Sequence, residues 1–473
     1  MKGNDYNLSK DISLKVGDYL KQLKKDYRKS REPVNFSFRS TCNQWLKRSD
    51  TCTHMIHSYP AKLVPYIPAF FLFNPAYKDK SGFLLDPFAG TGTVLLESVI
   101  HPYHRMNALG VEINPLPRLI SKVKTTPLDT KTLKNTASAL LSAIKQSAGK
   151  CEIPDFPNIS FWFKKKAQKE LARIKQSIDH MEDSDYKDFF WVCFSSIIRQ
   201  SSLADPKVAP PVMLKEIVYS DKKQSEAMRR ILKEKQNPKP IKYFEEEIEK
   251  NIRRMEAFCN GLENKKIKAK IVWDNATTLA KGKYEYKGNI NKSKVAPLSD
   301  VDLVITSPPY INAQKYVRSL RLELFWLNFV DNDGLVSLDR QLIGTERIQQ
   351  KTYKKVIHMD EPLADSTVEK IYKINERRAG IVSNFYIEML TFMKQLYKAM
   401  NIGGQFILVV GNNMVFNERI QNHQILTNLA TKHVGFDLEF IARDEIVSRG
   451  LMTKRHPTSG IIPEEWVIVL KKV

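Results

Sequence analysis

Cysteine is scarce in this chain of 473 residues. The five present, Cys42, Cys52, Cys151, Cys193 and Cys259, are widely scattered, and no two share CxxC spacing. A thiolate zinc cage is therefore not expected. An odd, scattered set also fits a reducing compartment better than a disulfide framework. Long apolar runs are missing too. The longest, 63–73, contains Pro65 and Pro68, and a spanning helix needs about 20 apolar residues. The N-terminal stretch is polar, with no apolar signal core. The expectation is a cytoplasmic protein with no membrane partner. Acidic residues are outnumbered, 52 against 75 Lys and Arg, which leaves a net charge of +23. Such an excess suits a polyanionic partner, because each cation that neutralises a phosphate releases a counterion. A merely solvated basic surface would give the same count.

The length exceeds one minimal domain and suggests a core with insertions. Residues 1–53 read as a polar, basic N-terminal extension with a weak helical pattern at 12–23. Strand-like text begins at Gly82, followed by a Gly-rich turn, a helical run at 94–100, a second strand at 107–113 and a helix at 116–124. This is the βαβα opening of a doubly wound, mostly parallel α/β sheet. Residues 125–266 then read as helices, with apolar spacing at 133–144, 165–178 and 244–258. A crossover needs one helix, so this is a helical insertion. Its second half is basic: 222–270 holds 15 Lys or Arg against 8 acidic residues. Strands return at 267–273 and 301–306. A second insertion, 331–380, carries Arg347, Lys351, Lys354 and Lys355. A helix at 381–400 stopping at Gly403-Gly404, a strand at 406–410 and strands at 438–446 and 466–470 close the chain, the last two around a basic loop with Arg449, Lys454, Arg455 and His456.

The first chemical signal is Asp86-Pro87-Phe88-Ala89-Gly90-Thr91-Gly92-Thr93, where a strand turns through two glycines into a helix. Glycines there let the backbone approach a ligand closely. A phosphate-cradling loop needs Lys after the glycine, where Thr93 stands. A dinucleotide fingerprint needs a third small residue, where Leu95 stands. S-adenosyl-L-methionine, which has no phosphate to cradle, fits the shorter pattern. Glu112, 20 residues after Gly92 at the end of the second strand, suits two ribose hydroxyls. Asp274, after the third strand, is placed for the adenine amine. A lone glycine turn can also be a plain strand–helix connection; acids at two successive strand ends favour the cofactor.

The second signal is Ser307-Pro308-Pro309-Tyr310, directly after the fourth of these strands. The prolines fix a rigid loop. Pro308 keeps a carbonyl acceptor, Ser307 adds a second acceptor, and Tyr310 offers an aromatic face. The amine of cytosine or adenine is a poor nucleophile because its lone pair is delocalised into the ring. Two acceptors, one per hydrogen, favour a pyramidal nitrogen whose lone pair faces a methyl donor. The base must leave the duplex to reach such a loop.

Together these strings resemble the amino-methyltransferase family of DNA modification enzymes, the first its cofactor motif and the second its catalytic motif. Upstream, His57-Ser58-Tyr59-Pro60-Ala61-Lys62-Leu63 is similar to the family segment that closes over the methionine end of the cofactor, which implies roles for Tyr59 and Lys62. The stretch from Ile311 to Tyr316 and the helix through Leu320, Leu324 and Trp326 also look family-like. The resemblance covers 54–124, 267–330 and 381–473, the implied catalytic core; both insertions are unmatched and are candidates for target recognition. In many cytosine-N4 enzymes the Ser-Pro-Pro-Tyr string comes first, whereas here the cofactor motif leads.

The resemblance implies a site-specific methyltransferase of a restriction-modification system, with double-stranded DNA as substrate and a cognate restriction endonuclease as functional partner. Ser307 points to cytosine N4, since adenine-N6 enzymes usually carry Asp or Asn there; adenine N6 is the alternative. An RNA base-amine enzyme or a DNA-binding protein without activity are further readings, and a binder of the latter kind would take no cofactor. A cytosine-C5 enzyme needs a Pro-Cys nucleophile, and no cysteine here follows a proline.

Overall fold

A computed structural model describes residues 3–45, 52–59, 62–147, 149, 151–206, 208, 210–215, 222–262, 266–279, 298–311, 316–354, 358–416, 418–445 and 464–473. The strands among them are β1 (Val34–Asn35), β2 (Phe83–Asp86), β3 (Ala108–Val111), β4 (Ala269–Trp273), β5 (Val301–Thr306), β6 (Met400–Gly411), β7 (Asn413–Val415), β8 (Glu418–Ile420), β9 (Phe436–Glu445) and β10 (Glu464–Lys472). β7 and β8 pair as a hairpin. The other eight form one sheet in the order β1-β9-β10-β6-β5-β2-β3-β4. β10 runs antiparallel to β6 and β9, and the remaining pairings are parallel. This is a mixed α/β architecture consistent with the Rossmann-like methyltransferase fold that the resemblance implies.

β5 is buried along its whole length, as a strand covered on both faces must be. Its one charge, Asp302, has a structural use. It accepts hydrogen bonds from the Gly82 backbone N–H at 3.0 Å and from Asn401 Nδ2 at 2.9 Å, tying together the starts of β2, β5 and β6. The helix Thr93–Ile100 is buried at every residue, because the sheet lies on one side and the helices Tyr66–Leu72 and Pro115–Thr125 pack against it elsewhere.

Between the helix Pro115–Thr125 and β4 come the helices Thr130–Gln146, Ile159–Trp162, Lys165–Asp179, Asp185–Ser201, Lys222–Gln236 and Pro240–Gly261. Side-chain caps start two of them: Asp129 accepts from the Thr132 N–H and Ser184 from that of Lys187. The first buries Leu133, Ala137, Leu140 and Ile144, one stripe at helical spacing. These helices share a hydrophobic core with Leu96, Val99, Leu116 and Ile120 of the sheet-flanking helices. The same core takes in Leu320, Phe325 and Trp326, with Phe325 stacked on Phe156 at 4.9 Å between centroids. The insertion is thus packed against the segment that follows the tetrapeptide.

The structure extends the sequence reading in three places. The weak pattern at 12–23 lies in a long helix, Gly3–Ser30, that buries Ile12, Val16, Leu20, Leu23 and Tyr27 in the main core. The two-residue β1 after it pairs with Ala442 and Arg443 of β9 and is too short to carry a period. Gly403 and Gly404 do not stop a helix. The helix Glu376–Ala399 has already ended, and both glycines lie within β6. Gly403 has φ +77, and a Cβ on Gly404 would stand 3.2 Å from the carbonyl oxygens of Val301 and Asp302. The glycines let β6 press against β5 where their register shifts. Residues 331–380 hold the helices Asn332–Arg340, Gln350–Tyr353 and Pro362–Ile374. No helix among the described residues is long and apolar enough to cross a membrane.

Candidate active site

Strand order reverses between β2 and β5: β3 and β4 lie beyond β2, and β6 lies beyond β5. In open α/β sheets, ligands bind outside the carboxyl ends of the strands at such a switch point. Both chemical motifs emerge there, one from each strand.

Asp86 ends β2 and is 3% exposed. Its carboxylate accepts from the Phe88 N–H at 3.1 Å and from the Thr306 hydroxyl at 2.6 Å. Burial pushes its pKa up to about 7, against the pull of those two bonds. Gly90 and Gly92 take φ +49 and +74. A Cβ on Gly92 would strike Ser121 Oγ at 2.3 Å, so this side of the loop lies on the following helix. A Cβ on Gly90 would meet nothing within 4 Å, so the other side has room for a ligand. Phe88 packs edge-on to Phe392 at 4.9 Å, in the main core.

Glu112 follows β3. One carboxylate oxygen accepts from the Gly90 N–H at 2.9 Å and the other from the Asn114 N–H at 2.8 Å. A carboxylate has about four acceptor positions, so capacity remains for hydroxyl donors. Burial raises its pKa to about 7, with the backbone bonds opposing. The Glu112 N–H donates to the Trp273 carbonyl at 3.1 Å, which brings the exposed Asp274 to the same edge. Tyr59 faces Glu112 and Tyr316, and burial raises its phenol well above the ordinary value.

Lys62 donates to the carbonyls of His57 at 2.6 Å and His54 at 3.2 Å. Burial lowers its pKa to about 8, and Arg254 from the insertion adds to this. Beside it lies Lys124, wholly buried, whose Nζ donates to Thr91 Oγ1 at 3.4 Å. Burial, then Lys62, drives Lys124 well below its ordinary value. Two desolvated lysines therefore sit behind the Thr91 end of the glycine loop, and Lys62 is the one that keeps its charge near neutral pH.

In the tetrapeptide, Pro308 is buried and Ser307, Pro309 and Tyr310 are half-buried. Tyr310 shares side-chain hydrogen bonds with Ser307 and with Glu465 of β10, and burial raises its phenol well above the ordinary range. The next carbonyl, that of Ile311, accepts from Asn413 Nδ2 at 3.0 Å. Asn422 Nδ2 donates to Asn413 Oδ1 at 2.7 Å and to the Gly411 carbonyl at 2.9 Å, and the Tyr386 hydroxyl donates to Asn422 Oδ1 at 2.7 Å. This buried amide network holds the far end of the loop.

The structure therefore gathers Asp86, Gly90, Glu112, Tyr59, Ser307 and Tyr310 at one crevice, with Thr91 and Lys62 behind it and Asp274 on its rim. Sequence reasoning passed over Lys124, Asn413, Asn422 and Glu465. The polar pair Asn412-Asn413 after a buried strand was a usable signal; nothing local marks Glu465. Pro60, Ala61, Lys355, the stretch 312–315 and the loop with Arg449, Lys454, Arg455 and His456 lie outside the described residues. In the second insertion, Arg347 Nε is 2.6 Å from Asp339 Oδ2, which Arg318 also approaches at 3.3 Å.

No family model matches the chain. It is 27% identical over 447 residues to the Type II methyltransferase M.MvaI of Kocuria varians, a similarity that spans 89% of this chain and 90% of that protein. Coverage that wide takes in most of the helical insertion as well as the sheet. A 93-residue stretch, 20% of this chain and 17% of the relative, is 30% identical to the Type II methyltransferase M.MjaII of Methanocaldococcus jannaschii.

Proposed function

We propose that this protein is a site-specific DNA methyltransferase of a restriction-modification system that transfers a methyl group from S-adenosyl-L-methionine to the exocyclic amine of a flipped base, cytosine N4. The observation that carries the reading is the meeting of the two motif loops at the switch point, joined through Asp86 and Thr306. The near full-length similarity to a Type II methyltransferase supports it.

The residues present fit the cofactor. Gly90 leaves open space, Glu112 keeps spare acceptor capacity, and the Lys62 ammonium suits a carboxylate. In this reading Glu112 holds the ribose hydroxyls, Asp274 the adenine amine, and Lys62 with Thr91 the methionine end. When bound, the cofactor supplies an electrophilic methyl group on its sulfonium. The Ser307 oxygen and the Pro308 carbonyl each accept one amine hydrogen and so turn the nitrogen lone pair out of conjugation. Tyr310 offers its ring to the flipped base. Positioning and preorganised acceptors carry the catalysis. The basic excess serves the DNA backbone.

Mass spectrometry of nucleosides from unmethylated DNA incubated with the protein and S-adenosyl-L-methionine tests the reading. N4-methylcytosine is the expected product. N6-methyladenine would retain the amine chemistry and overturn the base assignment. C5-methylcytosine, or no methylation of any DNA together with no cofactor binding, would overturn both.

A further inference from the structure

We propose that Glu465 is a positioning residue for this reaction: acting through Tyr310, it sets the direction of the hydrogen bonds at Ser307 and so makes the serine oxygen an acceptor for the target amine. The proposal rests on the reading of Ser307–Tyr310 as the amine-binding loop.

Topology brings Glu465 there. β10 is antiparallel to β6 and β9, so its first residues arrive at the carboxyl ends of the parallel strands. Glu465 stands opposite Gly411 of β6 and Asp444 of β9. Thr306, the last residue of β5, stands opposite Leu408 of β6. Gly411 is three residues farther along, level with the tetrapeptide. Neighbouring side chains on a strand point to opposite faces. The adjacent acid, Glu464, is accordingly engaged elsewhere, by Arg419 at 2.6 Å and Arg443 at 3.5 Å. Glu465 meets Tyr310.

The proton count then fixes the direction. An ionised carboxylate only accepts, so the Tyr310 hydroxyl must donate to Glu465. The phenol oxygen is left to accept, and the donor it meets is the Ser307 hydroxyl. Serine has one proton. With that proton committed to Tyr310, its lone pairs are what it presents to the base, beside the Pro308 carbonyl, which has no proton to give. Without Glu465 the phenol is free to donate to Ser307 instead. The serine proton can then turn toward the amine nitrogen, where it would occupy the lone pair that must attack.

Glu465 must be ionised for this. Burial raises its pKa to about 7; Asp444 adds to the rise, and the bond from Tyr310 opposes it. Asp444 is itself raised to about 6 by burial. Tyr316 faces Tyr310 from the loop side, and Gly411 on the β6 side brings no titratable group. Below its pKa the carboxyl carries a proton that it can donate to the phenol, so the direction is fixed only above it, and methyl transfer should rise as pH climbs through about 7.

The test uses the full-length protein, methyl-labelled S-adenosyl-L-methionine at saturation at every pH, and unmethylated DNA, with single-turnover rates measured from about pH 6 to 9. Glu465→Gln should slow transfer about 10- to 100-fold and lose the rise near pH 7, with cofactor affinity and thermal unfolding unchanged. Glu465→Asp should recover part of the rate. In a Tyr310→Phe background, which cuts the chain, Glu465→Gln should add no further loss. A Glu465→Gln rate and pH profile equal to the wild type would overturn the proposal. So would slow transfer accompanied by early melting and weak cofactor binding, which marks a structural role. Ser307→Ala separates the two levels. If it keeps the wild-type rate, the amine-binding reading fails. If it is slow while Glu465→Gln is not, only the positioning role fails.

Discussion

Thr306, the last residue of β5, donates its hydroxyl to Asp86, the last residue of β2, across 2.6 Å. The two positions are 220 residues apart, and each opens one of the two motif loops. Asp86 also accepts from the Phe88 N–H, so one buried carboxyl organises the glycine loop and anchors the start of the tetrapeptide.

Thr306→Val keeps the shape and removes the donor. Asp86 would then hold a buried charge with one partner fewer. The variant should lose about 1–3 kcal/mol of stability in urea denaturation and bind S-adenosyl-L-methionine more weakly. Wild-type stability and affinity together would show that the loops do not depend on this bond.

Glu112→Ala should weaken cofactor binding by about 1–3 kcal/mol, the scale of charge-assisted hydrogen bonds, as read by equilibrium titration. Because burial holds the Glu112 pKa near 7, its acceptor form is lost as pH falls. Wild-type affinity should therefore drop between about pH 8 and 6, and Glu112→Ala should flatten that dependence. Unchanged affinity in a folded variant would remove Glu112 from the cofactor site.

Glu323 is 4% exposed, and one of its carboxylate oxygens has no hydrogen-bond partner. Burial raises its pKa to about 7, with Arg199 only partly opposing. The folded chain thus binds this proton more tightly than the unfolded chain does. Its unfavourable contribution is absent below the ordinary carboxylate range and grows as pH rises through 7. Glu323→Gln removes it. The stability gap should widen in the variant's favour by up to about 3 kcal/mol between pH 5 and 8. A constant gap across that range would refute the buried-charge account.

DNA binding should fall steeply with salt. The helix Lys222–Gln236 exposes Lys223, Arg229, Arg230 and Lys233. It is docked by the buried Met228 and by Lys235, whose ammonium donates to the Arg199 and Gln200 carbonyls. Replacing the four exposed cations with Gln should weaken DNA binding and leave cofactor affinity intact. The salt slope should fall by about one unit for each phosphate that is no longer neutralised. The same exchange at Arg347, whose guanidinium already pairs with Asp339, should matter less. An unchanged salt slope for the four-fold variant would place the DNA surface elsewhere.

Much of the fold and half of the candidate site can be read along the chain, because the relevant physics is local. A nearly continuous apolar run such as 301–306 can satisfy its side chains only inside a covered sheet. Gly90 and Gly92 are needed where the backbone takes positive φ, and two prolines stiffen whatever follows a strand. An acid at the end of a strand, such as Glu112, stands out in the text. The tertiary structure decided the pairings. Which hydroxyl meets Asp86, which amide holds the Ile311 carbonyl and which carboxyl reaches Tyr310 all depend on strand order and direction across the sheet. β10 carries Glu465 to the tetrapeptide only because it runs antiparallel beside β6. The N-terminal helix joins the core by packing on β9, beside the edge that β1 extends. Periodicity records which face of an element is apolar; it holds no information about the element on the other side, and hydrogen bonds over a few ångströms are made with whatever that element presents.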